Sequence, residues 1–270
     1  MDKGLRINQR DQWATVADLG RPSATEIAEG VVSNALTTRS RRRRLFVITC
    51  YADTLREMLL KAHGLGMTEG DYAFIYYRSF IGDSFGDYSW KRGDSSDQIA
   101  MDAYEALLIV TLMKPNTTEF VDFENEVKTA AKDKYGYDYG HYDVNPFVTA
   151  YHDAFLIYGD VVNETIADGG DIFDGENITG KMRNRTFDGI TGKLRIDENG
   201  DRETDFTLLD MDPVSGNYNV VGFYHGSNGV FEWHEVHRIH WPNNAGPPVN
   251  MPKCGYTGDA PECQNYGCIK

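Results

Sequence analysis

Four consecutive apolar residues, Leu45-Phe46-Val47-Ile48, follow a basic run and precede a Cys-Tyr-Ala-Asp turn. An unbroken run this short and this rich in branched side chains is the pattern of a strand buried on both faces, as in a parallel sheet. Leu55, Met58, Leu59 and Ala62 then recur at helical spacing until Gly64 and Gly66 stop them, with Asp53 placed to cap that helix. Tyr72–Tyr77 supplies a second strand and Leu107–Met113 a third. Strand, helix, strand at this spacing is a right-handed crossover. The expected fold class is α/β, with doubly wound parallel sheets.

The flanking segments extend the pattern. Ser23 and Glu26 form a capping box ahead of Ile27, Val31 and Leu36. Phe120, Phe123, Val127, Ala130 and Ala131 mark an amphipathic helix. A second helix starts near Val148 and is expected to turn Tyr151, Ala154, Phe155, Tyr158, Val161 and Val162 inward. Ile190–Ile196 and Asp205–Leu209 alternate like a hairpin around Glu198-Asn199-Gly200, where Asn-Gly suits a tight turn. No internal repeat interrupts this order.

Charge and cysteines narrow the setting. With 270 residues, 41% of them apolar, real cores are within reach. A net charge of −14 argues against nucleic acid and anionic membranes as partners. The exception, Arg39 and Arg41–Arg44, reads as a solvated helix end. No apolar run is long enough to span a bilayer, and Met1 leads into polar residues rather than an apolar leader. Four sequons, at Asn116, Asn163, Asn177 and Asn184, fit a glycosylated surface, and the cysteines fit an oxidising compartment. Four cysteines (50, 254, 263 and 268) allow three pairings.

Three constellations invite a chemical reading and each has a plainer one. Gly82-Asp83-Ser84-Phe85-Gly86 matches a nucleophile elbow, but its strand ends early and no helix follows at once. His234, His237 and His240 lack the helical i, i+4 spacing of a zinc site; on a strand, His234 and His240 would share a face. Asp197–Glu203 offers oxygens at alternate positions but has neither the glycine nor the glutamate of a calcium loop. No catalytic residue, metal or cofactor is expected.

Asp174–Thr179, Asn184–Gly192, Asp197–Phe206 and Asp210–Pro213, followed by Lys253-Cys254-Gly255 and Cys263, carry a family likeness in the right order. They resemble the membrane-proximal end of natriuretic-peptide-receptor ectodomains, the extracellular parts of receptor guanylyl cyclases. The resemblance covers most of residues 45–263, with 1–40 matching loosely. It implies a type I periplasmic-binding-protein-like fold in two lobes, its N-terminal part missing. Residues 1–44 would be a partial helix segment of a lobe, 45–253 the ligand-binding region and 254–270 a juxtamembrane disulfide tail.

Function follows by the same likeness. It implies a homodimer that binds a peptide hormone outside the plasma membrane, attached through a segment absent from this chain. Cyclic GMP would come from the full-length parent and not from this chain. The alternative is a soluble decoy or clearance-type protein, or a small-molecule binder of the same fold without a cyclase. Among the cysteine pairings the resemblance selects Cys254–Cys263, a ten-residue loop whose closure is worth about 2.7 kcal/mol in the chain-entropy model. It pairs Cys50 with a cysteine outside the chain and leaves Cys268 unplaced. Trp13 is the one bulky aromatic near the family's hormone-contacting strand, and no chloride is expected.

Overall fold

The computed structural model describes residues 5–7, 13–17, 45–78, 86–140, 142–244 and 246–248. β1 (Leu5–Ile7) and β2 (Trp13–Ala17) lie at one end of an eight-stranded sheet. Then come β3 (Leu45–Thr49), α1 (Ala52–Gly64), β4 (Ala73–Arg78), α2 (Asp97–Tyr104) and β5 (Leu107–Leu112). The chain next leaves the sheet for α3 (Thr118–Tyr135), α4 (Pro146–Ala167) and α5 (Gly175–Met182). A small antiparallel sheet follows: β6 (Arg185–Gly189), β7 (Gly192–Ile196) and β8 (Arg202–Glu203). β9 (Phe206–Met211), β10 (Tyr218–His225) and β11 (Val230–Trp233) return to the large sheet. Its order is β1-β2-β3-β4-β5-β9-β10-β11, parallel from β2 to β5 and antiparallel beyond. The α/β class expected from the sequence is therefore present.

The apolar runs explain the sheet. Phe46 pairs in register with Phe74, and Phe74 with Leu107; Ile48 pairs with Tyr76, and Tyr76 with Ile109. All six are buried and pack against Leu55, Met58, Leu59 and Ala62 of α1. Each such side chain contributes about 1.5–3 kcal/mol on burial. Phe46 and Phe74 stack with centroids 5.3 Å apart. One detail differs from expectation: Tyr51, not Asp53, is the N-cap of α1, and Asp53 sits in the first turn. There its carboxylate lies 2.7 Å from the Arg92 guanidinium, so it tethers the following loop rather than the helix end.

That loop is fastened at several points. The buried Arg56 of α1 donates to the Trp90 carbonyl at 3.0 Å and pairs with Asp94 at 2.8 Å. The Trp90 indole N–H donates to the Gly216 carbonyl at 2.8 Å, tying the loop to the β9–β10 turn. Gly216 has φ +69°, and a Cβ there would come within 2.6 Å of the indole, so only glycine fits.

Two expectations are corrected. On α4 the inward stripe is Thr149, Asp153, Ile157, Val161 and Thr165, four residues apart, packed toward Ile178, Phe187 and Leu194. Tyr151 and Phe155 are 70% and 75% exposed, and Ala154 and Tyr158 also face outward; of the expected set Val161 is buried and Val162 packs beside it. The polar members of the stripe are satisfied in place: the Thr165 hydroxyl donates to the Val161 carbonyl at 2.8 Å, and Thr149 to that of Pro146 at 2.8 Å. Counting apolar residues therefore selects the wrong face. The second correction concerns the hairpin. β7 pairs with β6 and β8, whereas β9 goes to the large sheet, where Phe206–Leu209 matches Leu112–Ile109 of β5.

Candidate functional site

The chain passes from the large sheet to the smaller module at Met113–Thr117 and back at Thr204–Asp205. These passages touch, the Met113 N–H donating to the Asp205 carbonyl at 3.0 Å. A cavity of about 260 Å³ opens at this seam. The end of β5 forms its floor, the first turns of α3 and α4 one side, and the β7–β8 region the other. Both helix starts are set by sequence. Thr117 caps α3 by accepting from the Phe120 N–H at 3.2 Å; Asn145 caps α4 by accepting from the Phe147 N–H at 2.9 Å, with Pro146 at the first helical position.

Two polar clusters flank the cavity. In the first, the Lys114 ammonium lies 2.8 Å from Glu124 and 2.7 Å from Asp143. Burial works against that charge, but hydrogen bonds to Asp143 and Glu124 and their negative charge outweigh it, so the Lys114 pKa is raised. Glu124, itself buried, also accepts from the Val144 N–H at 3.1 Å. In the second cluster Asp153 is 1% exposed and accepts from the Ile190 N–H at 2.7 Å and the Thr191 hydroxyl at 2.5 Å. Arg202 approaches Asp153 at 3.5 Å and donates to Thr191 at 2.8 Å. A Cβ on Gly189 would come within 2.6 Å of the Asp153 carboxylate, so glycine is required for the β6–β7 turn to close over it.

A third polar point lies within the large sheet, on β9 between β5 and β10. Asp210 of β9 is 3% exposed and accepts from the His240 N–H at 2.6 Å, while its other oxygen has no hydrogen-bond partner. Burial pushes its pKa up to about 6 against the pull of that hydrogen bond.

The residues singled out from sequence are dispersed. Asn116, Asn163, Asn177 and Asn184 are all exposed, the last three on α4, α5 and the turn into β6. In the Asn163 sequon, Thr165 is fully buried. Cys50 is half-buried just after β3, and its carbonyl accepts the Tyr76 hydroxyl at 2.7 Å. Trp13 opens β2, in register with Leu45. Ser84, Cys254, Cys263, Cys268, the capping box and the basic run lie outside the described residues.

The histidine segment is not a strand, since β11 ends at Trp233; His234 instead stacks on His237 at 4.9 Å, and His240 turns to Asp210. Asp197 accepts from the Asn199 and Asp201 N–H groups, each at 2.8 Å, and these bonds, that from Asp201 foremost, hold its pKa low. Its carboxylate is thus used by its own turn. Among the described residues no cluster of three metal-ligating side chains occurs. Sequence reasoning missed the seam: Lys114, Glu124, Asp143, Asp153 and Asp205 come from distant segments, and the helix expected from Val148 begins two residues earlier, at Pro146.

An open α/β sheet joined to a smaller helical module, with an apolar-walled cavity at the junction, is the plan of a ligand-binding protein. The family model described as "Receptor family ligand binding region" matches residues 2–214, and the chain belongs to that family. The receptor-type guanylate cyclase gcy-28 of Caenorhabditis elegans is 38% identical over 84% of this chain. Atrial natriuretic peptide receptor 3 of Homo sapiens is 41% identical over 73% of it. The chain spans 18% and 36%, respectively, of those two proteins. A leucine binding protein from Thermotoga maritima superposes with a TM-score of 0.44 at 20% identity, over 77% of this chain and 50% of its own. Among the described residues no helix is long and apolar enough to cross a membrane.

Proposed function

We propose that this chain is the extracellular peptide-hormone-binding region of a natriuretic-type receptor guanylyl cyclase. The observation that carries the reading is the match of residues 2–214 to a receptor ligand-binding region, together with 41% identity to an atrial natriuretic peptide receptor. The chain itself makes no cyclic GMP; it recognises a peptide, as a homodimer, on the outer side of the plasma membrane. Its net charge of −14 favours a basic peptide, because opposite charges accelerate encounter. The exposed Asn116, Asn163, Asn177 and Asn184 carry glycans, and Cys254 bonds to Cys263.

Titration calorimetry of the secreted chain against a basic natriuretic-type peptide, at low and high ionic strength, tests the reading. Binding that weakens with salt is expected, because added ions screen exposed charges. Incubation with GTP should yield no cyclic GMP. Absence of peptide binding at either salt, in a chain shown to be folded, overturns the proposal. Non-reducing peptide mapping tests the disulfide, and a mobility shift on enzymatic deglycosylation tests the glycans.

A further inference from the structure

We propose that Asn199 is a self-modifying site, where spontaneous deamidation turns a neutral side chain into a carboxylate in the β7–β8 turn. The sequence contains two Asn-Gly dipeptides, Asn199-Gly200 and Asn228-Gly229, and both lie exposed in turns. Glycine after asparagine favours the reaction because a residue without Cβ lets its own amide nitrogen approach the preceding side chain. Sequence alone therefore treats the two sites as equals.

The chemistry needs only water. The glycine nitrogen bonds to the asparagine Cγ and gives its proton to solvent. The Cγ–Nδ2 bond breaks, and the amide group takes up a proton and leaves as ammonia. Water then opens the cyclic imide at one carbonyl or the other. The product is aspartate, or its isomer in which the main chain runs through the side-chain carboxyl. One water is consumed, one ammonia is released, and nothing is oxidised or reduced.

The fold separates the two sites. At the second, both reacting groups are held: Asn228 Oδ1 accepts from the Val230 N–H at 2.9 Å, and the Gly229 N–H donates to the His225 carbonyl at 2.9 Å. Strand pairing continues up to that turn, with His225 opposite Val230. At the first site the Gly200 N–H reaches the Asp197 carbonyl only at 3.2 Å. The Asn199 side chain is held through Nδ2 alone, 3.4 Å from Asp197, and its oxygen accepts no hydrogen bond among the described residues. The side chain must swing onto the nitrogen, so bonds on either group have to open first. Two bonds of ordinary strength should slow Asn228 by about tenfold or more relative to Asn199.

The product would alter its surroundings. A new carboxylate would stand beside Asp197, Glu198 and Asp201, and the isomer would lengthen the main chain just before β8. β8 carries Arg202, which donates to Thr191 at 2.8 Å and approaches Asp153 at 3.5 Å. This inference does not depend on the peptide-receptor reading, and either can fail alone.

The test incubates the folded chain at physiological temperature and pH beside a sample kept unfolded in guanidinium. Peptide mapping by mass spectrometry follows each site, and enzymatic methylation of isoaspartate reports the isomer. In the unfolded sample both asparagines should convert at comparable rates. In the folded chain Asn199 should continue to convert while Asn228 falls behind by about tenfold or more. Asn199→Gln, whose longer side chain closes the ring poorly, should remove the isoaspartate signal of the folded chain, and Asn228→Gln should leave it unchanged. Equal conversion of the two sites in the folded chain, a faster Asn228, a signal that survives Asn199→Gln, or an inert Asn199 over the time the unfolded chain converts overturns the proposal.

Discussion

The large sheet and the smaller module use opposite means to hold together. The sheet relies on apolar volume: Ile48, Leu55, Leu59, Tyr76, Tyr104, Leu107 and Ile109 are almost wholly enclosed between strands and helix. The module has a core of five, Ile157, Val161, Ile178, Phe187 and Leu194, and supplements it with a buried, hydrogen-bonded carboxylate. Each region contains one buried aspartate, and the two differ in provision. Asp153 in the module meets a backbone N–H, a hydroxyl and a guanidinium. Asp210 in the sheet keeps one oxygen without a partner. A small core fixes its geometry through polar contacts; a large one tolerates a poorly served charge.

The sharpest way to break this comparison is to truncate both cores. Leu59→Ala should cost about 3–5 kcal/mol of global stability in urea unfolding, the range for a well-packed leucine. Leu194→Ala should cost less globally and instead raise amide exchange selectively across β6–β8. If both variants lower the same single transition equally, sheet and module are one cooperative unit and the contrast fails.

Next in size is a pH effect confined to the sheet. The folded Asp210 pKa, about 6, lies above its unfolded value near 3.8. The folded state therefore holds this proton more tightly, and stability falls as pH rises between those two values, then levels off. The difference across that window is about 3 kcal/mol. Asp210→Asn should remove that slope, so melting curves of the two proteins should converge near pH 4 and separate by pH 7, with the variant higher. Parallel curves at every pH would show that Asp210 carries no such penalty.

Asp153→Ala addresses the polar device of the module. It strands the Ile190 N–H and the Thr191 hydroxyl, and should cost about 1–3 kcal/mol. A neutral outcome would mean water replaces the carboxylate without loss. Smallest is Phe155→Ala on the outer face of α4, expected within about 0.5 kcal/mol because the ring is exposed. Its visible effect should be reduced self-association in sedimentation, since exposed apolar stripes drive association. A loss above about 1 kcal/mol would show that the outer face is packed after all.

What sequence could foretell divides along the same line. β3, α1, β4 and β5 are legible because each is buried by runs of apolar residues, which periodicity detects directly. Strand bounds differ by a single residue, as with Ala73–Arg78 against Tyr72–Tyr77. α4 has apolar residues around most of its circumference, so periodicity cannot say which side is inward. The answer rests on Asp153, which is inside because a turn 37 residues later offers it an N–H. The apparent hairpin after Ile196 fails for a related reason: the Asn-Gly turn is local, but where Phe206–Met211 pairs is decided by β5. The cavity is the least legible feature, being an outcome of where three distant segments stop.

The touching passages at Met113 and Asp205 have a mechanical consequence. Two chain segments that connect two bodies at well-separated points would fix their relative orientation. Two segments bonded side by side define a single axis instead. Any reorientation of the module would fall on Lys114–Thr117 and Thr204, which lie between elements and outside the strand pairing on either side. Pro115 removes one of those freedoms, since its φ is fixed by the ring. The joint would act like a door hinge, one angle, with the cavity in the jamb.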